Sequence, residues 1–364
     1  MSNNSNLRKA DKIEFDEYYT QYEYIQKEVN AYLEYNPDVF RDKTILLPCD
    51  DPEWSNFTKF FAQNFENLGL KKLISTSYAV NSKKVKYYQV SMFESESPQY
   101  DKKKTKSHGK IFTLERDNNK SNNIDIEDLE WNYLKGDGDF RSAEVKKLRD
   151  EADIIITNPP FSLFREFLSW VLEADKKFLI IGRETIISYK EVFPLIMDLK
   201  VWTGATCNSS DMVFEVPEGT IINEKDKEKA EKMGYVGNYT RLGNSCWFTN
   251  IDHGRRHENL ELMSMADNLK FSKHESLRES GYEKLDNYDA INIPYTDSIP
   301  NDYDGLMAVP ISFIHKYNPN QFEIVDGIGR YSVIYNEETK KAGKYLTMLN
   351  GKAKFFRIVI RRRK

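Results

Sequence analysis

The segment Asn158-Pro159-Pro160-Phe161 contains the residue types that methyl transfer to an amine requires. Two consecutive prolines restrict the backbone, so they would hold the Asn158 side chain and the Pro159 carbonyl in one orientation. These two acceptors could take the two hydrogens of one exocyclic amine and direct its lone pair at a methyl donor. Phe161 would stack on a base that has left its helix. We therefore predict that Asn158, Pro159, Pro160 and Phe161, here called the Asn-Pro-Pro-Phe turn, are catalytic; the alternative is a strand-end turn without chemistry.

Further segments have residues suited to hold a methyl donor that carries an adenosine and an ammonium group. Such a donor needs an acceptor for its adenine amine, a surface for stacking, and acidic or carbonyl partners for its charge. The candidates are Asp139 and Phe140 for the adenine, Asp50, Asp51 and Pro52 after the first predicted strand, Tyr18, Tyr19 and Thr20 for the methionine end, and Asn158 beside the donor. Each set has a plainer explanation: the Asp pair could cap a helix, Asp139 could serve a turn, and the tyrosines could lie in the core.

Alternating apolar runs and amphipathic stretches position these residues. Apolar runs predict strands at residues 44–47, 73–78, 152–157 and 178–181, and amphipathic patterns predict helices at 14–35, 55–68 and 164–172, with another helix after residue 140. Strands that alternate with helices predict an α/β fold with a doubly wound parallel sheet. In such a sheet, ligands bind beyond the carboxyl ends of the strands, where the candidate residues fall.

The chain has 364 residues, which suggests about two domains, and a net charge of −4. An acidic chain can bind nucleic acid only through local basic clusters. One cluster has ten basic residues and no acid between Lys340 and Lys364, and a second basic run extends from Lys83 to Lys110. The alternative for both is a solvated surface.

Cysteine usage and hydropathy restrict the classes of protein. Cys49, Cys207 and Cys246 have no paired spacing, which predicts a reduced, cytoplasmic protein without a zinc site. His253 and His257 are four residues apart, but no third ligand is evident, so we expect no metal. No apolar stretch approaches the roughly 18 residues of a membrane span, so we expect no membrane association.

The motifs occur in an order that resembles a known family. The chain is similar to the EcoRI-type adenine-N6 DNA methyltransferases from about residue 14 to its C-terminus. The segments that carry the resemblance include residues 16–22, 49–52, 55–57, 64–65, 68–74, 136–142, 157–166, 175–181, 189–193, 286–292 and 309–311. Two features depart from wider methyltransferase patterns: the loop after the first strand lacks the usual glycines, and no acid follows the second strand.

The resemblance implies a Rossmann-like methyltransferase fold that uses S-adenosylmethionine, with a C-terminal target-recognition region. We accordingly predict a disordered arm at 1–13, a catalytic domain at 14–252 with an insertion at about 81–123, and a recognition region with a basic C-terminal tail at 253–364. The recognition sequence does not carry over, because residues 81–123 and 215–244 are long inserted stretches.

The predicted function is methylation of adenine N6 at specific sites of double-stranded DNA by a monomer, with or without a cognate restriction endonuclease that acts separately. The flipped adenine is expected between Phe161 and a partner near Trp247 and Phe248. Basic residues from Lys340 onward would hold phosphates, and residues 253–329 would meet base edges. The alternatives are an RNA or protein-glutamine methyltransferase and an inactive DNA-binding protein of the same fold.

Overall fold

The protein is described by a computed structural model over residues 18–79, 98–116, 131–207, 212–216, 220–330, 332, 334–343 and 345–363. The predicted arm at 1–13 and much of the predicted insertion at 81–123 lie outside the described residues. Over the described parts of the chain, no helix has the length and apolar character needed to cross a membrane.

The strands follow the chain in this order: β1 Tyr19–Thr20, β2 Thr44–Leu47, β3 Lys72–Thr76, β4 Lys110–Glu115, β5 Trp131–Tyr133, β6 Ile154–Thr157, β7 Lys177–Arg183, β8 Trp202–Thr203, β9 Met212–Glu215, β10 Tyr239–Leu242, β11 Ser245–Thr249, β12 Ile291–Asn292, β13 Met307–Pro310, β14 Phe322–Ile328, β15 Met348–Leu349, β16 Lys352–Ala353 and β17 Arg357–Arg362.

The α-helices are α1 Tyr22–Tyr35, α2 Asn56–Gln63, α3 Ala143–Glu151, α4 Phe164–Glu173, α5 Phe193–Met197, α6 Glu224–Lys232, α7 Met265–Phe271, α8 Glu275–Ser280 and α9 Glu337–Lys341. The chain divides into two compact units. The first comprises Met1–Arg183 and Ser210–Ile251, and the second comprises Glu184–Ser209 and Asp252–Lys364.

The first unit contains a large sheet with strands in the order β5-β4-β3-β2-β6-β7-β11. Strands β3, β2, β6 and β7 are parallel, whereas β4, β5 and β11 run antiparallel to their neighbours. The prediction of a parallel sheet is therefore wrong in part, and the fold is mixed α/β with a mixed sheet. A buried strand is apolar whichever way it runs, so its sequence does not reveal its direction.

Two predicted helices are shorter in the structure. Helix α1 begins at Tyr22 because Tyr19 and Thr20 form β1, which pairs with β9 in a small sheet of the order β1-β9-β10. Helix α2 ends at Gln63, where the Asn64 side chain donates to the Phe60 carbonyl at 2.8 Å. An Asn side chain that satisfies a terminal carbonyl competes with continuation of the helix.

The core of the first unit lies around the parallel strands. All residues of β2 and β6 are buried, and the register joins Ile45 to Ile154 and Leu46 to Ile155. Helix α2 contributes the buried rings predicted from its apolar stripe, Phe57, Phe60 and Phe61. The pairing of β2 with β6 brings the ends of these two strands together at one edge of the sheet.

The second unit has a sheet with strands in the order β12-β13-β17-β14, and β15 pairs with β16 in a separate two-stranded sheet. Strand β17 is internal: it pairs antiparallel with both β13 and β14, and Ile358, Val359 and Ile360 are fully buried. The basic C-terminal segment, predicted as a tail, is therefore a strand of this sheet as far as Arg362.

Candidate active site

The Asn-Pro-Pro-Phe turn directly follows the buried strand β6. A short 3-10 helix at Phe161–Leu163 continues the turn into α4. The backbone nitrogen of Leu163 donates to the Pro160 carbonyl at 2.9 Å, which closes the turn. A strand and a helix therefore hold the turn from both sides, as the sequence predicted.

The Asn158 amide has one engaged end and one free end. Its Nδ2 donates to the backbone carbonyl of Tyr18 at 2.6 Å. Its Oδ1 is buried and accepts no hydrogen bond from any described residue. A buried acceptor without a partner is uncommon because it costs free energy, so its presence requires an explanation. The engaged end fixes the amide orientation, and Oδ1 remains able to accept a hydrogen from a ligand.

Aromatic rings surround Phe161. Tyr18 stacks on it with ring centroids 5.4 Å apart and an interplanar angle of 25°. Phe214 of β9 contacts both rings edge-on, at 5.9 Å from Tyr18 and 6.4 Å from Phe161. The guanidinium carbon of Arg183 lies 5.6 Å from the centroid of Phe161. The side chain of Phe161 therefore has planar aromatic and guanidinium neighbours, which suit a nucleobase.

The predicted partners of the flipped adenine, Trp247 and Phe248, belong to the core. Trp247 is 2% exposed and contacts Phe57 edge-on, and Phe248 is fully buried against Phe164. This prediction is wrong because β11 pairs with β7 in the large sheet and all its residues are buried. Neither ring presents a face to a ligand.

Asp50 is a buried carboxylate that connects several strand ends. Its two side-chain oxygens accept from the hydroxyls of Ser55 and Thr157, each at 2.6 Å, and its backbone carbonyl accepts from Ser75 at 2.6 Å. Burial raises the pKa of Asp50 to about 7, and the hydrogen bonds from Ser55 and Thr157 oppose that rise. Because Thr157 directly precedes Asn158, Asp50 ties the loop after β2 to the Asn-Pro-Pro-Phe turn.

The rest of the loop after β2 does not fit the alternative that the aspartates cap the following helix. Ser55, and not an aspartate, caps α2 by accepting from the Phe57 nitrogen at 3.0 Å. Asp51 is half-buried, and its side chain accepts from the Glu53 nitrogen at 2.9 Å, while Pro52 is buried. Asp51 is thus the more accessible of the two aspartates.

Asp139 is paired with its neighbour Arg141. Its Oδ1 accepts from the backbone nitrogen and Nε of Arg141, and its Oδ2 accepts from Nη2 at 2.6 Å. Hydrogen bonds from Arg141 hold the pKa of Asp139 below its ordinary value. Phe140 is 5% exposed and packs edge-on against Phe167 and Trp170. Asp139 therefore shapes a turn, and its charged carboxylate stays partly exposed.

The loop that carries Asp139 packs against the end of β3. Gly138 has a φ of +81°, and a Cβ at this position would lie 2.1 Å from the Ser77 carbonyl oxygen. The Ala79 nitrogen donates to the Asp137 carbonyl at 2.6 Å. Only glycine permits this close approach of two backbones. Glycine at residue 138 therefore positions Asp139 beside the carboxyl end of β3.

The segment Tyr18–Thr20 lies next to the other candidates. Besides the bond from Asn158 to Tyr18, the Asn56 side chain donates to the Thr20 carbonyl at 2.8 Å. Tyr19 pairs with Glu215 in the ladder of β1 and β9. The structure thus connects Tyr18, Thr20 and Asp50 to the Asn-Pro-Pro-Phe turn and to the start of α2.

Sequence reasoning missed the residues that organise these loops. Thr157 and Ser55 hold the Asp50 carboxylate, and Arg141 links Asp139 to Glu166 of α4 at 3.3 Å. The available signals were a hydroxyl residue at the end of an apolar strand, Thr157, and one at the start of a helix, Ser55, because hydroxyls can satisfy buried polar groups. The partner of Thr157, however, is Asp50, which is 107 residues away in the sequence.

Comparison with known proteins shows the family to which the chain belongs. The family model for the adenine-specific methyltransferase EcoRI matches residues 6–363. The chain is 38% identical over 362 residues to the type II methyltransferase M.EcoRI of Escherichia coli, with 99% of this chain and 97% of that protein covered. It is 30% identical over 366 residues to M.MpnI of Mycoplasma pneumoniae and 32% identical over 365 residues to M.MgeORF184P of Mycoplasma genitalium, with 98% of each chain covered. No solved structure matches significantly. The match over nearly its whole length shows that the chain belongs to the EcoRI-type family of adenine-specific DNA methyltransferases.

Proposed function

We propose that this adenine-specific methyltransferase methylates N6 of a flipped adenine at specific sites in double-stranded DNA, with S-adenosylmethionine as the methyl donor. The observation that carries the proposal is the buried, unpaired Oδ1 of Asn158. Its orientation is fixed by the bond from Nδ2 to Tyr18, so Oδ1 is positioned in advance to accept a hydrogen bond from a ligand.

The residues of the Asn-Pro-Pro-Phe turn have separate roles in the proposed reaction. Asn158 Oδ1 and the Pro159 carbonyl accept the two hydrogens of the adenine amine and keep its lone pair localised on nitrogen. Pro160 restricts the turn, and Phe161 stacks on the base. When bound, S-adenosylmethionine supplies an electrophilic methyl group.

The proposal also includes the mixed sheet as the Rossmann-like sheet of a methyltransferase. Several residues near the ends of its strands would then hold the cofactor. Asp139 fits the adenine amine, because Arg141 keeps its carboxylate charged, while Phe140 forms an apolar wall. Asp51 and Pro52 would contact the cofactor beyond the carboxyl end of β2, with Asp50 holding their loop in place. The backbone of Tyr18, Tyr19 and Thr20, beside Asn158, would hold the methionine end.

We propose the second unit as the target-recognition region. Lys352, Lys354, Arg361 and Arg363 are exposed and would neutralise phosphates, while side chains at 253–329 meet base edges. Because β17 is an internal strand, single substitutions test this better than deletion of the C-terminus. Lys354→Ala should reduce the slope of log affinity against log salt by about one unit and leave the methylated site unchanged.

The remaining parts of the proposal concern the cellular setting. We propose a cytoplasmic monomer that modifies host DNA, with any cognate restriction endonuclease acting as a separate protein. The names of the similar proteins as type II methyltransferases support the modification of DNA beside a separate endonuclease.

The direct test is incubation with radiolabelled methyl donor and duplex DNA, RNA or protein, followed by sequencing of methylated adenines. Label in adenine N6 of DNA at one sequence is expected. Asn158→Ala should reduce the single-turnover rate on the order of 10² or more, with cofactor and DNA affinities changed much less. Label confined to RNA or protein would reject the proposal, and near-wild-type turnover of the variant would show that the Asn-Pro-Pro-Phe turn is structural.

A further inference from the structure

The ring that faces Phe161 in the structure is Tyr18. It is the nearly parallel neighbour of Phe161, with centroids 5.4 Å apart and an angle of 25°. Phe214 meets Phe161 at 90° and is fully buried, so it offers an edge and no free face. Among the described aromatic side chains that contact Phe161, Tyr18 therefore has the orientation that a second stacking surface needs.

Tyr18 also contacts the catalytic amide. Its backbone carbonyl accepts from Asn158 Nδ2 at 2.6 Å, so one residue orients Asn158 and places a ring on Phe161. The side chains that would accept the amine and stack on the base are thus both in contact with Tyr18. The position of Tyr18 is coupled to the part of the site that binds the base.

We propose that Tyr18 is the second aromatic wall of the target-base pocket, so that the flipped adenine is stacked between Tyr18 and Phe161. This inference rests on the proposed function. It assigns to Tyr18 the second stacking position, which was predicted from the sequence to lie near Trp247 and Phe248. The backbone of Tyr18 keeps its role beside the cofactor, and its ring contacts the base.

The present spacing of the two rings is that of a closed pocket. Carbon atoms in contact lie about 3.5–4 Å apart, so two rings that enclose a base must be separated by roughly 7 Å. The distance of 5.4 Å therefore has to increase when the base enters. Tyr18 precedes the two-residue strand β1, whose ladder to β9 begins at Tyr19, so its ring can move without breaking a pair of that ladder.

The exposed side chain of Arg183 is the alternative second wall, since its guanidinium lies 5.6 Å from the Phe161 centroid. A guanidinium can also stack on a base. The ring geometry favours Tyr18, because an almost parallel aromatic face already contacts Phe161 and belongs to the residue that holds Asn158.

The test uses the duplex site identified by sequencing of methylated adenines, so wild-type methylation is established first. Dissociation constants are measured for that duplex and for the same duplex with an abasic target position. A stacking wall contributes only when a base is present. Tyr18→Ala should reduce the ratio of adenine to abasic affinity by about 5- to 100-fold, and Tyr18→Phe should retain the wild-type ratio.

Two further variants separate stacking from folding. Tyr18→Leu keeps an apolar side chain without a ring face and should show the same loss as Tyr18→Ala. Tyr22→Ala is the matched control, since Tyr22 begins α1 and its ring packs on Phe60, 5.4 Å away. The control should leave the ratio unchanged. Affinity for S-adenosylhomocysteine should be the same in all variants.

Several results would overturn the proposal. An unchanged ratio in both Tyr18→Ala and Tyr18→Leu, or an equal loss in Tyr22→Ala, would show that Tyr18 does not stack on the base. A loss confined to S-adenosylhomocysteine affinity would assign the ring to the cofactor. A loss in Arg183→Ala with none in Tyr18→Ala would make Arg183 the second wall. Each of these results leaves wild-type DNA methylation, and hence the proposed function, intact.

Discussion

Asp50 and Asp139 were predicted for the same task, yet the structure gives them opposite environments. Asp50 is buried and accepts from two neutral hydroxyls, of Ser55 and Thr157. Asp139 is partly exposed and accepts three hydrogen bonds from Arg141. The pKa of Asp50 rises to about 7 because of burial, whereas hydrogen bonds from Arg141 lower the pKa of Asp139.

The difference shows that the partners of a carboxylate decide its role. Two hydroxyls satisfy the geometry of Asp50 but do not compensate for the lost hydration of its charge. A guanidinium supplies both hydrogen bonds and opposite charge, so Asp139 stays ionised. Asp50 is thereby suited to hold loops together, and Asp139 is suited to accept a hydrogen bond from a ligand.

The largest expected effect is on the free energy of unfolding, and it distinguishes Asp50 from Asp139. Asp50→Ala leaves two buried hydroxyls without their acceptor, so the free energy of unfolding at pH 5 should fall by about 3 kcal/mol. Asp139→Ala removes a partly exposed ion pair and should cost less than about 1 kcal/mol. Urea denaturation of both variants measures this, and equal losses would remove the contrast.

The second effect is a pH dependence of stability. The folded protein keeps the Asp50 proton to about pH 7, whereas the unfolded chain releases it near its ordinary pKa of about 4. Stability should therefore fall as pH rises, by about 2–3 kcal/mol between pH 5 and pH 8. Asp50→Asn cannot ionise and should lose that much less between pH 5 and pH 8. Parallel denaturation profiles of the two proteins would show that Asp50 ionises normally.

The third effect concerns cofactor affinity. Asp139→Ala should reduce affinity for S-adenosylhomocysteine by about 1–3 kcal/mol, because the adenine amine loses a charged acceptor. Asp50→Asn should change it much less, since the Asp50 side chain is buried against Ser55 and Thr157, whereas Asp139 is partly exposed. Calorimetric titration of the two variants decides the matter. The reverse ranking would move the cofactor contact to Asp50.

The smallest effect isolates the contribution of Arg141. Arg141→Ala should return the pKa of Asp139 toward its ordinary value and change the free energy of unfolding by less than about 1 kcal/mol, because Arg141 is exposed to solvent. Its matched counterpart is Thr157→Val, which removes a buried hydroxyl from Asp50 and should cost more. Urea midpoints of the pair provide the comparison, and a larger loss in Arg141→Ala would contradict it.

Local patterns were sufficient for much of the fold. Apolar runs gave the positions of β2, β3, β6 and β7, because burial on both faces requires continuous apolar residues. The consecutive prolines Pro159 and Pro160 gave the turn, because their rings restrict the backbone whatever surrounds them. The helix ends and the directions of β4 and β11 were not predictable, because long-range pairing decides them.

The sequence by itself determined which residues could do the chemistry: an amide and an aromatic ring on a rigid turn at the end of a buried strand. Only the tertiary structure decided their partners. Asp50 meets Thr157 across 107 residues, and Asn158 meets Tyr18 across 140. Such contacts depend on the order in which strands join the sheet, and residue types and local spacing do not encode that order.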